Sequence, residues 1–368
     1  MENINVAVLG ATGAVGQKFV ALLQHHPYFR VRELVASSRS AGRSYRDAVT
    51  WVQNTPIPES VAAMDVKSIE EPLDSPILFS GLDSSIAGAV EERYAQAGHV
   101  VISNSKNHRM DADVPLVIPE INADHLALIE RQPYAGALVT NPNCSTIFLA
   151  MALAPLHQAF GIDAVQVSTL QAISGAGYPG LSATDINGNV IPHISGEEEK
   201  LETETLKILG VIDGDKIAPA EMRISAQCTR VPVIDGHTET LSVKLQSHAT
   251  IGDVRNALEA FRGFPQEAGL PSAPRQPLWV FDDPSRPQPA RDLWVDGGMA
   301  TLIGRLRPCP VFDLRMVLLG HNTIRGAAGA AILNAEALVA KDYVTSDGLL
   351  RRSEAVQGRE PAEAGAGL

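Results

Sequence analysis

Cys144 and His237 are the residues whose types and settings point most directly to chemistry. Cys144 lies in Asn141-Pro142-Asn143-Cys144-Ser145-Thr146, a polar turn that runs into the apolar segment Ile147 to Leu153. The pattern predicts a helix with Cys144 in its first turn, capped by Asn143, Ser145 or Thr146. First-turn amides and the positive end of the helix dipole favour a thiolate there, as a nucleophile requires. A free cysteine is equally often a small buried apolar residue, and this segment alone leaves both readings open. His237 lies in Val231-Pro232-Val233-Ile234-Asp235-Gly236-His237-Thr238-Glu239, at the start of an expected strand and inside a polar turn. Beside a cysteine nucleophile it is a candidate acid/base. Arg230, seven residues earlier, suits a polar substrate. So do Glu197 and Lys200, one helical turn apart, which read equally well as a solvated ion pair. Gln171-Ala172-Ile173-Ser174-Gly175 ends a strand in a glycine turn able to close over a cofactor ring.

The elements that must position these groups begin at the N-terminus. Ile4 to Leu9 is an apolar, β-branched run, followed by Gly10-Ala11-Thr12-Gly13-Ala14-Val15-Gly16 and a helical segment from Gln17. Strand, glycine turn and helix lay a phosphate on exposed amides at a helix N-terminus. The spacing is GxxGxxG rather than GxGxxG, so the motif carries weight only through its strand and helix context. A second strand, Val31 to Ala36, ends at Ser37-Ser38-Arg39. Hydroxyls and an arginine at this place, where an acid would mark NAD, suit the 2′-phosphate of NADP. Ile77 to Leu82, Val100 to Asn104 and Leu138 to Thr140 are further buried strands, with a helix over Ile86 to Gln96. The alternation predicts a doubly wound parallel sheet. Asn104 to Arg109 is a polar loop just past a strand's C-terminal end, where such sheets bind ligands.

After the Cys144 helix the character changes. Ala164 to Leu170, Glu239 to Leu245, Ala300 to Leu306 and Phe312 to Leu318 read as strands of a mixed, one-side-covered sheet. Glu197 to Leu209 and Ile251 to Phe261 read as helices, and proline-rich 263–289 as an irregular excursion. Asn322 to Ala340 holds Gly-Ala-Ala-Gly-Ala-Ala at 326–331, a small-residue helix able to pack closely on another backbone. Residues 346–368 are small, polar and unpatterned, as in a disordered tail.

Composition narrows the function classes. A net charge of −12 over 368 residues gives no general basic face, so neither nucleic acid nor an anionic membrane is an expected partner. Three widely spaced cysteines suggest a reducing compartment and no CxxC metal site. No apolar run is long enough for a bilayer, and the N-terminus starts a strand without a signal pattern. The expected location is therefore the cytoplasm.

Taken together and in order, Gly-Ala-Thr-Gly-Ala-Val-Gly (10–16), Asp-Val-Pro-Leu-Val-Ile-Pro-Glu-Ile-Asn (113–122), Asn-Pro-Asn-Cys-Ser-Thr (141–146), Gln-Ala-Ile-Ser-Gly (171–175) and Arg-Val-Pro-Val-x-x-Gly-His (230–237) resemble the aspartate-semialdehyde dehydrogenase family. The resemblance covers roughly residues 4 to 340. It implies NADPH-dependent reduction of aspartyl-4-phosphate through a Cys144 thioester, in biosynthesis of lysine, diaminopimelate, methionine, threonine and isoleucine. It further implies that His237 carries the proton, Gln171 orients the acyl group, and Asn143 with the Cys144 N–H holds the oxyanion. Arg230 would take the α-carboxylate, Glu197 lie near the amino group, and Arg109 and Lys200 grip the phosphate. Cofactor contacts would come from 10–16, 37–39, Ser80, Gly81, Ser174, Gly175 and Asn322. The implied architecture is a Rossmann-like domain, 1–143 plus 322–345, and an α+β catalytic and dimerisation domain, 144–321, in a homodimer or homotetramer. Rivals on the same scaffold are malonyl-CoA reductase and N-acetylglutamyl-phosphate reductase, the second disfavoured by the cysteine motif. A catalytically silent NADP-binding scaffold is the rival of another class.

Overall fold

The computed structural model describes residues 3–214 and 216–351. The first half builds β1 (Ile4–Leu9), α1 (Ala14–Leu23), β2 (Phe29–Ala36), β3 (Val66–Ser68), β4 (Ile77–Ser80), α2 (Ser84–Gln96), β5 (Val100–Ser103) and β6 (Ala137–Thr140). All pairings are parallel, in the order β3-β2-β1-β4-β5-β6. This is the dinucleotide-binding order, whose chain reversal beside β1 opens a crevice at the strands' C-terminal ends. The strands read as unbroken apolar runs because helices cover both faces of the sheet.

From β6 the chain passes through residues 141–145 into α3 (Thr146–Phe160), every residue of which is buried from Thr146 to Leu156. It then builds β7 (Ile162–Gln171), α4 (Glu197–Ile208), β8 (Arg223–Arg230), β9 (His237–Leu245), α5 (Ile251–Ala260), β10 (Leu278–Val280), β11 (Thr301–Pro308) and β12 (Leu314–Gly320). The second sheet runs β8-β7-β9-β12-β11-β10, parallel at its two outer pairs and antiparallel inside. Its mixed character matches the expectation. Alternating residues of β9 are buried, so one face takes the core and the other faces away. α3 and α4 cover the buried face.

Register explains the site. Arg230 pairs with Gln171 across β8 and β7, Leu170 with Thr238 across β7 and β9, and His237 with Gly320 across β9 and β12. The ends of four strands therefore bring Arg230, Gln171 and His237 to one edge, in front of the turn that carries Cys144.

Several segments differ from expectation. β3 and β8 arise where no strand was read, and 263–289 contains a short helix, Phe264–Glu267, as well as edge strand β10. The helix expected over 322–340 opens with a π-helical turn, Ile324–Ala328, before α6 (Gly329–Ala340). α6 packs into the core of the first sheet, together with Phe19, Val20 and Leu23 of α1. The tail expectation fails for its first part. Val344 is buried and bridges Leu350, and Arg351 N–H donates to the Tyr343 carbonyl at 2.8 Å. The rest of the expected tail, 352–368, lies outside the described residues.

Candidate active site

The turn before α3 sets the position of Cys144. The Asn143 side-chain oxygen accepts the backbone N–H of Ser145 at 2.9 Å and of Thr146 at 3.2 Å, which caps the helix. The Asn143 carbonyl also accepts the Ile147 N–H at 3.1 Å, so Cys144 stands in the opening turn, directly after the capping residue. The amides expected to favour its thiolate are engaged by Asn143. Burial, and then the Glu197 carboxylate, push the Cys144 thiol up to about 12 against the opposing pull of Arg109, Arg230 and Lys200.

His237 meets it directly, with Nε2 at 3.2 Å from Sγ. The other ring nitrogen, Nδ1, lies 3.1 Å from the Ala172 backbone N–H. An amide N–H can only donate, so Nδ1 is the acceptor and the neutral ring carries its proton on Nε2, facing sulfur. Burial, with Arg230 adding to it, lowers the His237 pKa to about 3. The imidazole is therefore a neutral donor aimed at sulfur. Gly175 closes over this pair: a Cβ there would stand 2.8 Å from Arg230 Nη1 and 3.1 Å from His237 Cε1. Gly326, in the π-helical turn, approaches from the other side, where a Cβ would meet Cys144 Cβ at 2.9 Å.

Around the sulfur, Glu197 is the common acceptor. Its oxygens accept Asn143 Nδ2 at 3.1 and 2.9 Å, Gln171 Nε2 at 3.2 Å and Lys200 Nζ at 2.5 Å. Burial would raise its pKa, but Lys200 and the two amides outweigh burial and hold it below the ordinary value. The Glu197–Lys200 pair is consequently a half-buried part of the cleft, not a solvated surface pair. Arg230 is buried, with Nη1 on the Ala172 carbonyl at 2.7 Å and near Gln171 Oε1 at 3.5 Å. The Asn143 amide nitrogen is committed to Glu197. The Cys144 backbone N–H has no acceptor among the described residues and is the free donor for an oxyanion.

Arg109 reaches the cleft from the loop after β5. Its Nη1 donates to Glu204 at 2.9 Å and its Nη2 to the Asn104 carbonyl at 2.7 Å. Glu204 also accepts the Asn143 backbone N–H at 2.7 Å. One turn further on α4, Lys207 Nζ donates to the carbonyls of Arg109, Asp111 and Val114. Burial lowers the Lys207 pKa to about 8. Sequence reasoning missed Glu204 and Lys207. The available signal is their spacing, since 197, 200, 204 and 207 recur at helical intervals on one face.

A cleft of about 370 Å3 collects most of the expected residues: Cys144, Asn143, Gln171, Arg230, Glu197, Lys200, Arg109, Ser174, Gly175 and Asn322, with Ala14 and Val15 at its nucleotide end. Asn322 ties the parts together, accepting the Gly236 N–H and donating to Ser174 Oγ, each at 2.8 Å. At the glycine turn, Gly10 has φ +73°, and a Cβ on Gly16 would fall 2.1 Å from the Gly10 carbonyl oxygen. Only glycine allows this tight approach to the start of α1, where no side chain caps the amides. Ser37, Ser38 and Arg39 sit exposed beyond the end of β2. Ser80 stands apart from the expectation: its hydroxyl is buried and donates to Glu91 at 2.5 Å. Gly81 instead packs against Gly16 and Val15. Among the described residues, no group of three or more His, Cys, Asp or Glu is arranged to hold a metal ion.

Two family models match the chain: "Semialdehyde dehydrogenase, NAD binding domain" over residues 5–129 and "Semialdehyde dehydrogenase, dimerisation domain" over residues 153–325. An aspartate-semialdehyde dehydrogenase of Methanothermobacter thermautotrophicus is 50% identical over 341 residues, covering 90% of this chain and 98% of that protein. The Candida albicans enzyme of the same name is 45% identical, covering 92% and 98%. The crystal structure of the Candida albicans enzyme with NADP superposes with a TM-score of 0.87 at 43% identity, covering 93% of this chain and all of that one. A second solved structure, aspartate semialdehyde dehydrogenase II of Vibrio cholerae complexed with ASA, has a TM-score of 0.76 at 28% identity, again over 93% and 100%. With its sulfur–imidazole pair at the mouth of a dinucleotide-binding crevice, and with relatives matched over nine-tenths of its length, this chain belongs to the aspartate-semialdehyde dehydrogenase family.

Proposed function

We propose that this protein is an NADP-dependent aspartate-semialdehyde dehydrogenase that converts L-aspartyl-4-phosphate into L-aspartate 4-semialdehyde and phosphate. The observation that carries the reading is the 3.2 Å contact between Cys144 Sγ and the buried His237 Nε2, with Cys144 lining one cleft together with Arg109, Arg230 and Gln171. The uncapped start of α1, the Gly10–Gly16 approach and Arg39 beyond β2 fit a dinucleotide with a 2′-phosphate. Bound there, the reduced nicotinamide supplies the hydride.

The chain's own residues do the rest. Arg230 meets the substrate α-carboxylate, its plane fixed by the Ala172 carbonyl. Each Glu197 oxygen already accepts two donors, so a substrate ammonium takes the place of Lys200 there. The displaced Lys200 joins Arg109 on the phosphate. Cys144 Sγ attacks the acyl carbon; the S–C bond forms, the C–O bond to phosphate breaks, and the thiol proton leaves with the phosphate. The Cys144 N–H stabilises the tetrahedral oxyanion, a contribution of about 3–4 kcal/mol for such a donor. Gln171, held by Glu197, keeps the thioester carbonyl in place. When the reduced carbon expels sulfur, His237 Nε2–H receives the thiolate as a hydrogen-bond donor until solvent returns its proton. The proton-carrying role expected of His237 is thus narrowed to donation at one atom.

The corresponding domain division is 1–143 plus 322–345 for the nucleotide and 144–321 for catalysis and self-association, in a cytoplasmic homodimer or homotetramer. The dimerisation-domain match supports the second part, and sedimentation of the purified chain measures the assembly. The deciding assay is NADP+- and phosphate-dependent oxidation of aspartate semialdehyde by wild type and Cys144→Ala. Wild-type turnover abolished by the substitution is expected. Turnover of malonyl-CoA alone with NADPH would sink the substrate assignment, and full activity of Cys144→Ala would sink the thioester.

A further inference from the structure

We infer that Glu204 is a positioning residue that locks the phosphate-binding arginine to the nucleophile turn. Its two oxygens are divided between two elements 34 residues apart in sequence, from 109 to 143. Oε1 accepts Arg109 Nη1 at 2.9 Å and Oε2 accepts the Asn143 backbone N–H at 2.7 Å. Glu204 is only 2% exposed, and Arg109 6%, so water does not compete for either bond. Arg109 is held again at Nη2 by the Asn104 carbonyl, and Lys207 gathers three carbonyls of the same loop. One face of α4 therefore fixes the loop that carries Arg109 and the N–H of Asn143, the residue before Cys144. The distance between the arginine and the sulfur has to match an acyl phosphate, whose phosphorus and acyl carbon are joined through one oxygen. A shared rigid acceptor sets that distance better than two independent anchors. The carboxylate also compensates a buried guanidinium, which would otherwise stand charged and unpaired in a dry site.

The inference rests on the assignment of Arg109 to the phosphate, and its test keeps the two apart. Glu204→Gln preserves shape but has only one accepting oxygen, and its amide N–H groups face the donors that the carboxylate received. At least one of the two bonds is lost. In the oxidative direction, with inorganic phosphate as the varied substrate, the KM for phosphate is expected to rise about tenfold or more, the scale of effect from small misplacement of a reacting group. The KM for NADP+ stays within about twofold. Built into an Arg109→Gln background, Glu204→Gln then changes the phosphate KM by no more than about twofold, because two residues acting through one contact are not additive. Alkylation of Cys144 by iodoacetamide reads the other arm, and its rate changes in Glu204→Gln whether position 109 is Arg or Gln. An unchanged phosphate KM in Glu204→Gln, its full effect persisting beside Arg109→Gln, or an unchanged alkylation rate would each overturn the inference. A uniform loss of active sites at wild-type KM would do the same, since that is the signature of a merely structural residue. An Arg109→Gln enzyme with normal phosphate KM would instead refute the phosphate assignment. Should Glu204→Gln not fold, Glu204→Asp, which keeps the charge on a shorter stem, enters the same cycle with the same expectations.

Discussion

Replacing His237 by alanine and by glutamine separates two jobs that an imidazole beside a thiol can do. The Ala172 N–H occupies Nδ1, so the neutral ring offers sulfur a donor and no lone pair. Glutamine places its amide nitrogen near the position of Nε2 and keeps a donor, while lacking any base. A hydrogen bond to a charged acceptor contributes about 1.5–3 kcal/mol. At about 1.4 kcal/mol per tenfold, His237→Ala then loses about 10- to 150-fold in kcat/KM. His237→Gln recovers to within about tenfold of wild type, the remainder reflecting the Ala172 N–H left without its acceptor. A general base would give a different pattern, with both variants down by about 10²–10⁴. The pH profile supplies an independent check. With His237 lowered to about 3 and Cys144 raised to about 12, neither group changes charge near neutrality. The acid limb of kcat/KM for the semialdehyde should therefore be the same in wild type and His237→Gln. A glutamine enzyme that is folded, binds NADP and is as inactive as the alanine enzyme would refute the donor reasoning. So would an acid limb near pH 6.5 that vanishes with His237.

Three other outcomes follow from the same geometry. In a Cys309→Ser background, the rate of Cys144 alkylation by iodoacetamide should climb about tenfold per pH unit from 7 to 10, since the buried thiol ionises only at about 12; a plateau at pH 7–8 would contradict the burial argument. Gly175→Ala puts a methyl 2.8 Å from Arg230 Nη1 and 3.1 Å from His237 Cε1. It should lower kcat by about 10- to 100-fold with little change in melting temperature, and a loss of both together would show a folding defect instead. Arg325, wholly buried within the π-helical turn, donates to Glu120 at 2.8 Å; Arg325→Met should cost about 3–5 kcal/mol in denaturant unfolding, and Arg325→Met with Glu120→Gln much less, because the single change strands a buried charge.

The nucleotide-binding half was legible because its physics is local. A parallel strand buried on both faces is a continuous apolar run, and the Gly10–Gly16 turn needs glycine for reasons internal to seven residues. The second half was read less fully. β8 alternates Arg223, Ser225, Gln227 and Thr229 with Ile224, Ala226 and Cys228, under a helix whose facing side is itself charged, so no strong hydrophobic period marks it. β10 is three residues inside a proline-rich stretch. The charges of α4 look solvated in sequence because their partners are far along the chain: Arg109 is 95 residues from Glu204, and Asn143 is 61. The thiolate expected from the helix start failed for a related reason. A neighbouring side chain, Asn143, takes the first amides, and the surrounding protein and Glu197 push the thiol pKa up.

That failure bears on how the enzyme spends its electrostatics. A thiolate at rest would be reactive toward any electrophile or oxidant that entered the cleft. This site pushes the thiol pKa up, sets a neutral donor 3.2 Å away, and holds three cations, Arg109, Arg230 and Lys200, in the cleft beside Glu197 and Glu204. An aspartyl phosphate bound as proposed would rearrange that balance. On the proposed function, its ammonium would compete for Glu197, the carboxylate that raises the thiol pKa, and release Lys200 toward the phosphate. The phosphate and α-carboxylate would at the same time take up Arg109, Lys200 and Arg230, the three cations that pull the thiol pKa down, so binding by itself does not ionise the sulfur. The thiol proton would then leave in step with the attack, to the departing phosphate, and a bound electrophile with its leaving group in place is what makes the sulfur reactive.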